Sequence, residues 1–220
     1  MWRIESELDG VGATYDHRAA VYDHLVRSRM YNRLAWSCTP GDYAEFAAAA
    51  FASASGPLLE AAAGSAAATA RLHATSRRPT VLVDESRAML ERAARRIAAA
   101  GGDGEADRLH GHIRLVQADL LALPFSPCGF TTVLGLGLIH LFEDLAGLVA
   151  ALCAQLAPAG RLYLAGLVTE TRRGRRYLEV LHRAGEVAQP RSARELHVAL
   201  GRPADFYTIG CMAFATLTAD

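Results

Sequence analysis

"PTVLVDESRAMLERAARRIAAA", residues 79–100, runs from a β-branched apolar stretch through Asp84-Glu85-Ser86 into a helix-forming segment. A strand buried on both faces reads as a continuous apolar run, and a helix directly after it makes a βα unit. The same order stands on both sides of this stretch. "LLEAA" (58–62) precedes an Ala-rich helix expected over 65–75. A glycine-rich stop at 101–104 leads to "HIRLVQADL" (112–120), and a linker around "LPFSPCG" (123–129) leads to "FTTVLGLGL" (130–138). A helix expected over 143–157 is followed by "GRLYLAGLV" (160–168). This alternation implies βαβ units and a doubly wound, mostly parallel α/β sheet of Rossmann-like type.

The two ends of the chain differ from this core. "TYDHRAAVYDHLVRSRMYNRLAW" (14–36) has a helical apolar period with Thr14 as a possible N-cap, and "YAEFAAAAFASA" (43–54) reads as a second helix ended by Gly56-Pro57. Beyond the core, "RRYLEVLHRAG" (175–185) and residues 192–200 read as helices. "DFYTIG" (205–210) and "CMAFATLTA" (211–219) are so closely spaced that an antiparallel pair at the sheet edge is expected. Residues 1–220 are thus expected to form one domain: a helical lid over 1–55, a core over 56–168, and C-terminal helices and edge strands over 169–220.

Composition excludes several functions. At 220 residues with 51% hydrophobic content the chain can bury a full core, and its formal net charge of zero offers no field for nucleic acid or an anionic membrane. All 23 basic residues are arginine. A P-loop lysine, a Schiff-base lysine and a kinase-type phosphate lysine are therefore excluded. Cys38, Cys128, Cys153 and Cys211 form no C-x-x-C, so they read as small buried hydrophobes, with no metal site expected. The opening "MWRIESELDG" lacks a basic-then-apolar leader, and the expectation is a cytoplasmic chain with no membrane span. Oligomeric state is not legible.

In an open α/β sheet the ligand lies outside the carboxyl ends of the strands. Those ends carry Glu60 to Ala66, Asp84-Glu85-Ser86, Asp119-Leu120 and Gly135-Leu136-Gly137. The segments "LLEAAAGSAAAT", "VLVDESRAML", "VQADLLALPF", "FTTVLGLGLIHLFED" and "LAPAGRLYLAGL", in that order, resemble the class I S-adenosylmethionine-dependent methyltransferases over roughly residues 56–168. The family's glycine loop, an acid followed by G-x-G-x-G, falls on Glu60 and then Ala62, Gly64 and Ala66, so only the middle glycine is kept. Alanine suits such a loop where φ is negative, and Gly64 then marks the one position that cannot be relaxed.

The resemblance implies S-adenosyl-L-methionine as cofactor. Asp84 would accept from the ribose hydroxyls, with Glu85 beside it, and Asp119 and the Leu120 N–H would meet the adenine, walled by Met89 and Leu90. Glu60 would orient the methionine ammonium, directly or through water, and Gly135 would line the site. It also implies His140, in "LIHLFED", as a general base acting near neutral pH. "YDHRAAVYDHL" (15–25) resembles the opening of several small-molecule methyltransferases in which an aromatic covers the donor, which nominates Tyr22 for the cofactor and Tyr15 and Trp36 for the acceptor. The implied function is methyl transfer to a small-molecule acceptor. The alternative is a relative that binds the cofactor without transferring methyl, in a regulatory or cyclase-like role. "AAGSAAA" lacks the flanking glycines of a hydrolase nucleophile elbow, and G-x-G-x-x-G is absent, which sets aside hydrolase and NAD-linked readings.

Overall fold

The structure, a computed structural model, describes residues 3–6, 39–101 and 111–219. The helix expected over 14–36, with Tyr15, Tyr22 and Trp36, lies outside the described residues, as does Cys38.

In chain order the elements are β1 (Ile4–Ser6), α1 (Pro40–Ala52), β2 (Leu58–Ala61), α2 (Ala70–Thr75), β3 (Thr80–Asp84) and α3 (Arg87–Gly101). There follow β4 (Ile113–Gln117), β5 (Phe130–Gly135), a short 3-10 turn (Ile139–Leu141), α4 (Leu145–Cys153) and β6 (Leu156–Leu167). The chain closes with α5 (Arg172–Arg183), α6 (Ala193–Ala199), β7 (Asp205–Ile209) and β8 (Met212–Thr218). The eight strands lie side by side as β1, β4, β3, β2, β5, β6, β8, β7. Every pairing is parallel except those of β8 with β6 and β7. The expected α/β class and the antiparallel C-terminal edge are both present.

Local chemistry sets the element boundaries. Thr39 opens α1 with a capping box: its hydroxyl accepts from the Asp42 N–H, and the Asp42 carboxylate accepts from the Thr39 N–H at 2.6 Å. Ser86 Oγ accepts from the Met89 N–H at 3.2 Å at the head of α3. That helix buries Met89, Leu90, Ala93, Ala94 and Ile97, one apolar stripe at helical spacing. The helix expected over 65–75 is shorter, since residues 62–69 are turns and α2 begins at Ala70; alanine content there does not outweigh the anchoring of the loop. The helix expected over 143–157 likewise narrows to α4, because the chain re-enters the sheet at Leu156. Residues 4–6 belong to the core sheet rather than to a lid: β1 pairs with β4 in register Ile4 with Leu115 and Ser6 with Gln117.

Register places facing residues in rows across the sheet. Leu82, Glu60, Leu134 and Tyr163 stand in one row, on the face covered by α1, α2, α3 and α5. Leu59, Val81, Val133 and Leu162 fill the other face beneath α4 and α6. Strand β2 lies between β3 and β5, which is where the strand order reverses, so the ligand crevice of such a sheet falls at the carboxyl ends of β2 and β5. Of the cysteines, Cys211 is buried and Cys153 half-buried, but Cys128 is exposed in the loop before β5, which corrects the expectation that all are core residues.

Candidate functional site

The turn after β2 is the centre of the site. Ala62, Gly64 and Ala66 have φ of +50°, +52° and +51°. All three are left-handed, so the expectation that the two alanines stand at negative φ is wrong. The physical reason is long-range: the turn is held at both ends and has only one way round. The Ala63 N–H donates to the Val83 carbonyl at 2.9 Å, the Gly64 N–H donates to Asp84 Oδ2 at 2.8 Å, and Arg96 donates to the Ser65 carbonyl and hydroxyl at 2.5 and 2.6 Å. A left-handed alanine costs about 1–2 kcal/mol relative to its right-handed conformation. An added Cβ on Gly64 would meet nothing within 4 Å among the described residues. The bare side of Gly64 is therefore clear of the described residues.

Asp84 ends β3 and joins the turns on both sides of it. Its Oδ2 holds Gly64, and its Oδ1 accepts from the Ser86 N–H at 2.9 Å. Its carbonyl accepts from the Ala118 N–H at 3.3 Å, which brings the end of β4 alongside. Asp119 Oδ1 accepts from the Leu121 N–H at 2.9 Å, and Leu120 is buried. Glu85 lies close enough to Asp119 for their charges to interact; burial first and that charge second hold the Glu85 carboxyl above its ordinary range. Met89 is buried at the start of α3, and Leu90 is part of the core under that helix. Gln117, which the sequence did not single out, donates to the Glu85 carbonyl at 2.9 Å and accepts from Ser6 Oγ at 3.1 Å, so the edge strand β1 is tied to this corner.

Glu60 is 2% exposed, and the structure supplies the partners that the sequence did not reveal. Thr69 Oγ1 donates to its Oε1 at 2.9 Å, and the His73 Nε2 meets its Oε2. Both partners come from the loop and helix that follow β2, so the acid fixes that segment from beneath. A buried acid at a strand end therefore has a structural role here. His73, 1% exposed with Phe51 edge-on at 5.0 Å, is the residue missed; a histidine inside a helix carries no spacing signal that points to a strand acid.

Gly135 closes β5 for reasons of packing: an added Cβ would stand 2.8 Å from Leu138 Cδ2 and 3.0 Å from Leu164 Cδ2. His140 follows in the 3-10 turn, half-buried over the end of β6. Its Nδ1 accepts from the Leu167 N–H at 3.3 Å, and its carbonyl accepts from the Ala188 N–H at 3.0 Å. Burial pushes its imidazole down to about 4. An ionisation near neutral pH, expected for a base of ordinary pKa, is thus displaced to acid. The structure gathers the loop 62–66, Asp84, Glu85, Asp119 and Leu120 around the ends of β2, β3 and β4, with Gly135 and His140 along the same edge past β5. Among the described residues, no group of three or more His, Cys, Asp or Glu could hold a metal ion, and no helix is long and apolar enough to cross a membrane.

Comparison with known proteins agrees with this geometry. The family model "Methyltransferase domain" matches residues 58–160. No curated protein matches the chain. A solved structure from Thermotoga maritima, an S-adenosylmethionine-dependent methyltransferase described as a candidate histamine N-methyltransferase, is 15% identical over 94% of this chain and 98% of its own, with a TM-score of 0.65. Geranyl diphosphate C-methyltransferase from Streptomyces coelicolor A3(2), solved with Mg2+, geranyl diphosphate and S-adenosyl-L-homocysteine, is 16% identical over 96% and 85%, with a TM-score of 0.63. At these identities the likeness is one of fold. The methyltransferase-domain match thus spans residues 58–160, the stretch that carries the left-handed turn after β2 and the reversal of strand order.

Proposed function

We propose that this chain is an S-adenosylmethionine-dependent methyltransferase that acts on a small-molecule acceptor by in-line transfer, and that the turn 62–66 with Asp84 and Asp119 holds its cofactor. The observation that carries the reading is the left-handed turn clamped to Asp84 at the strand-order reversal, with the bare side of Gly64 clear of the described residues. In this reading Asp84 accepts from the ribose hydroxyls while keeping the turn in place, a carboxylate being an acceptor at both oxygens. Asp119 and the Leu120 N–H recognise the adenine edge, with Met89 and Glu85 beside it and Gly135 lining the floor. Glu60 acts one layer below, holding the turn that meets the methionine end.

The cofactor supplies an activated sulfonium methyl when bound. The chain then has to hold the acceptor on axis and exclude water. His140 suits the first task. With Nδ1 accepting from the backbone, the neutral ring keeps its proton on Nε2, so His140 presents a donor that can fix an acceptor's polar atom. With its pKa near 4 it stays neutral at pH 7 and is a weak base. A small acceptor is supported by the neutral chain and by relatives whose names include histamine and geranyl diphosphate.

The two left-handed alanines favour one rival, a relative that binds the cofactor without transfer. The test runs in two steps. Calorimetric titration with S-adenosyl-L-homocysteine should show micromolar binding. Methyl-labelled donor should then deliver label into products of a bacterial metabolite extract. Binding without label in any product would support the rival, and no binding at millimolar ligand would overturn both readings.

A further inference from the structure

The outward face of α5 carries charge that the fold itself does not use. The helix buries Gly174 and Leu178, and Tyr177 and Leu181 pack half-buried against the cluster of Phe46, Tyr163 and Phe214. Its rotation is set closely: an added Cβ on Gly174 would stand 2.3 Å from Cys211 Sγ. Arg172, Arg173, Arg175, Arg176 and Arg183 consequently face solvent, against one acid in the helix, Glu179.

Their placement works against the helix. Four of the arginines fall in its first five residues, where no acid stands and where the positive end of the macrodipole lies. The pairs 172/175, 172/176 and 173/176 repel at (i, i+3) and (i, i+4) spacing. Arg175 acts on the Glu195 carboxylate, but Arg172, Arg173 and Arg176 have no ion pair or hydrogen bond among the described residues. Arg173, Arg176, Val180 and Arg183 follow i, i+3, i+7, i+10 and so form one stripe, about 15 Å long at 1.5 Å per residue. Val180, 55% exposed, sits inside it.

We propose that this stripe docks a partner protein through an acidic face with an apolar centre: a helix or strand with carboxylates on either side of an aliphatic side chain. Guanidinium forks pair bidentately with carboxylates, and the exposed Val180 offers an apolar contact between them. The convex helix has no concavity to enclose a small anion. Phosphate backbones make no use of an apolar centre, and a chain of zero net charge lacks the broad positive field of nucleic-acid binders. This docking does not depend on the cofactor site, which lies in another part of the chain.

The experiment uses a fluorescent helical peptide with glutamates flanking leucine at the matching spacing, and the same peptide with glutamine for glutamate. Anisotropy with the full chain should show the acidic peptide binding at least tenfold tighter than its glutamine counterpart, weakening with salt. Arg173→Glu with Arg176→Glu should lower that affinity tenfold or more, as should Val180→Asp, while the melting temperature stays level or rises because acids suit a helix start. Arg173→Gln with Arg176→Gln provides the same test with neutral side chains. Equal binding of the two peptides would overturn the proposal. Tighter binding of a short RNA duplex or of anionic vesicles than of the acidic peptide, lost with the same substitutions, would overturn it too.

Discussion

The backbone N–H of Gly64 donates to Asp84 Oδ2 at 2.8 Å, joining residues that stand 20 apart in the chain. One carboxylate thereby shapes the turn after β2 while its other oxygen holds the Ser86 N–H at the exit of β3. The acid that the cofactor reading assigns to the ribose is also the acid that builds the loop.

Asp84→Ala should accordingly fail twice. Losing charge-assisted hydrogen bonds costs about 1.5–3 kcal/mol, so S-adenosyl-L-homocysteine binding should weaken at least tenfold and urea stability should also fall. Asp84→Asn keeps one carbonyl oxygen and should lie between. A stability loss with unchanged affinity would assign Asp84 to the loop alone.

Ala62→Gly tests the left-handed turn. Glycine removes strain of about 1–2 kcal/mol but gives the unfolded chain about 0.4–1 kcal/mol of extra entropy, so a net gain of roughly 0.5–1 kcal/mol is expected in denaturant unfolding. Ala66 is 1% exposed, and the lost buried methyl, about 0.8 kcal/mol, should bring Ala66→Gly close to neutral. At negative φ both substitutions would destabilise instead.

Gly64→Ala should fold, since the added Cβ meets no atom of the described residues, at a cost of about 1–2 kcal/mol for the left-handed φ. Cofactor affinity should drop far more than stability if the methyl enters ligand space. Calorimetry and thermal melting on the same variant separate the two effects.

For His140 the sign follows from a folded pKa of about 4 against an ordinary 6.5. The unfolded chain takes up the proton first as pH falls, so this residue's stability contribution is present above pH 6.5 and is lost between there and about 4. The loss is on the order of 3 kcal/mol. His140→Phe should flatten that part of the stability curve. In the wild type no ionisation of His140 should appear in the rate profile near neutral pH, and His140→Gln, which retains an N–H donor, should keep more turnover than His140→Ala.

Arg78 provides a control away from the cofactor turn. It is 7% exposed, and its five N–H groups reach the carbonyls of Ala50, Phe51 and Gly56 and the hydroxyls of Thr131 and Thr132. Two of those carbonyls end α1, so the guanidinium caps that helix onto the amino ends of β2 and β5. Arg78→Met should destabilise by roughly 3 kcal/mol or more, because it leaves buried acceptors unsatisfied. Ligand affinity per folded molecule should not change.

Much of this was legible in the amino-acid order. Strands such as "TVLVD" are buried on both faces and so are apolar without alternation, and helices such as α3 repeat their apolar stripe locally, so class, element order and the acids at strand ends follow from short-range chemistry. The sign of φ at Ala62 and Ala66 does not, because it depends on the distance between anchors at Val83, Asp84 and Arg96 that only the assembled sheet sets. The same holds for Glu60, whose partners Thr69 and His73 are brought round by α2, and for β1, whose three residues are too few to show a period and become a strand only against β4. His140 is an ordinary imidazole in the sequence; packing over the end of β6 and beside the segment around Ala188 strips part of its water and lowers its pKa, a property of burial and not of neighbours in the chain.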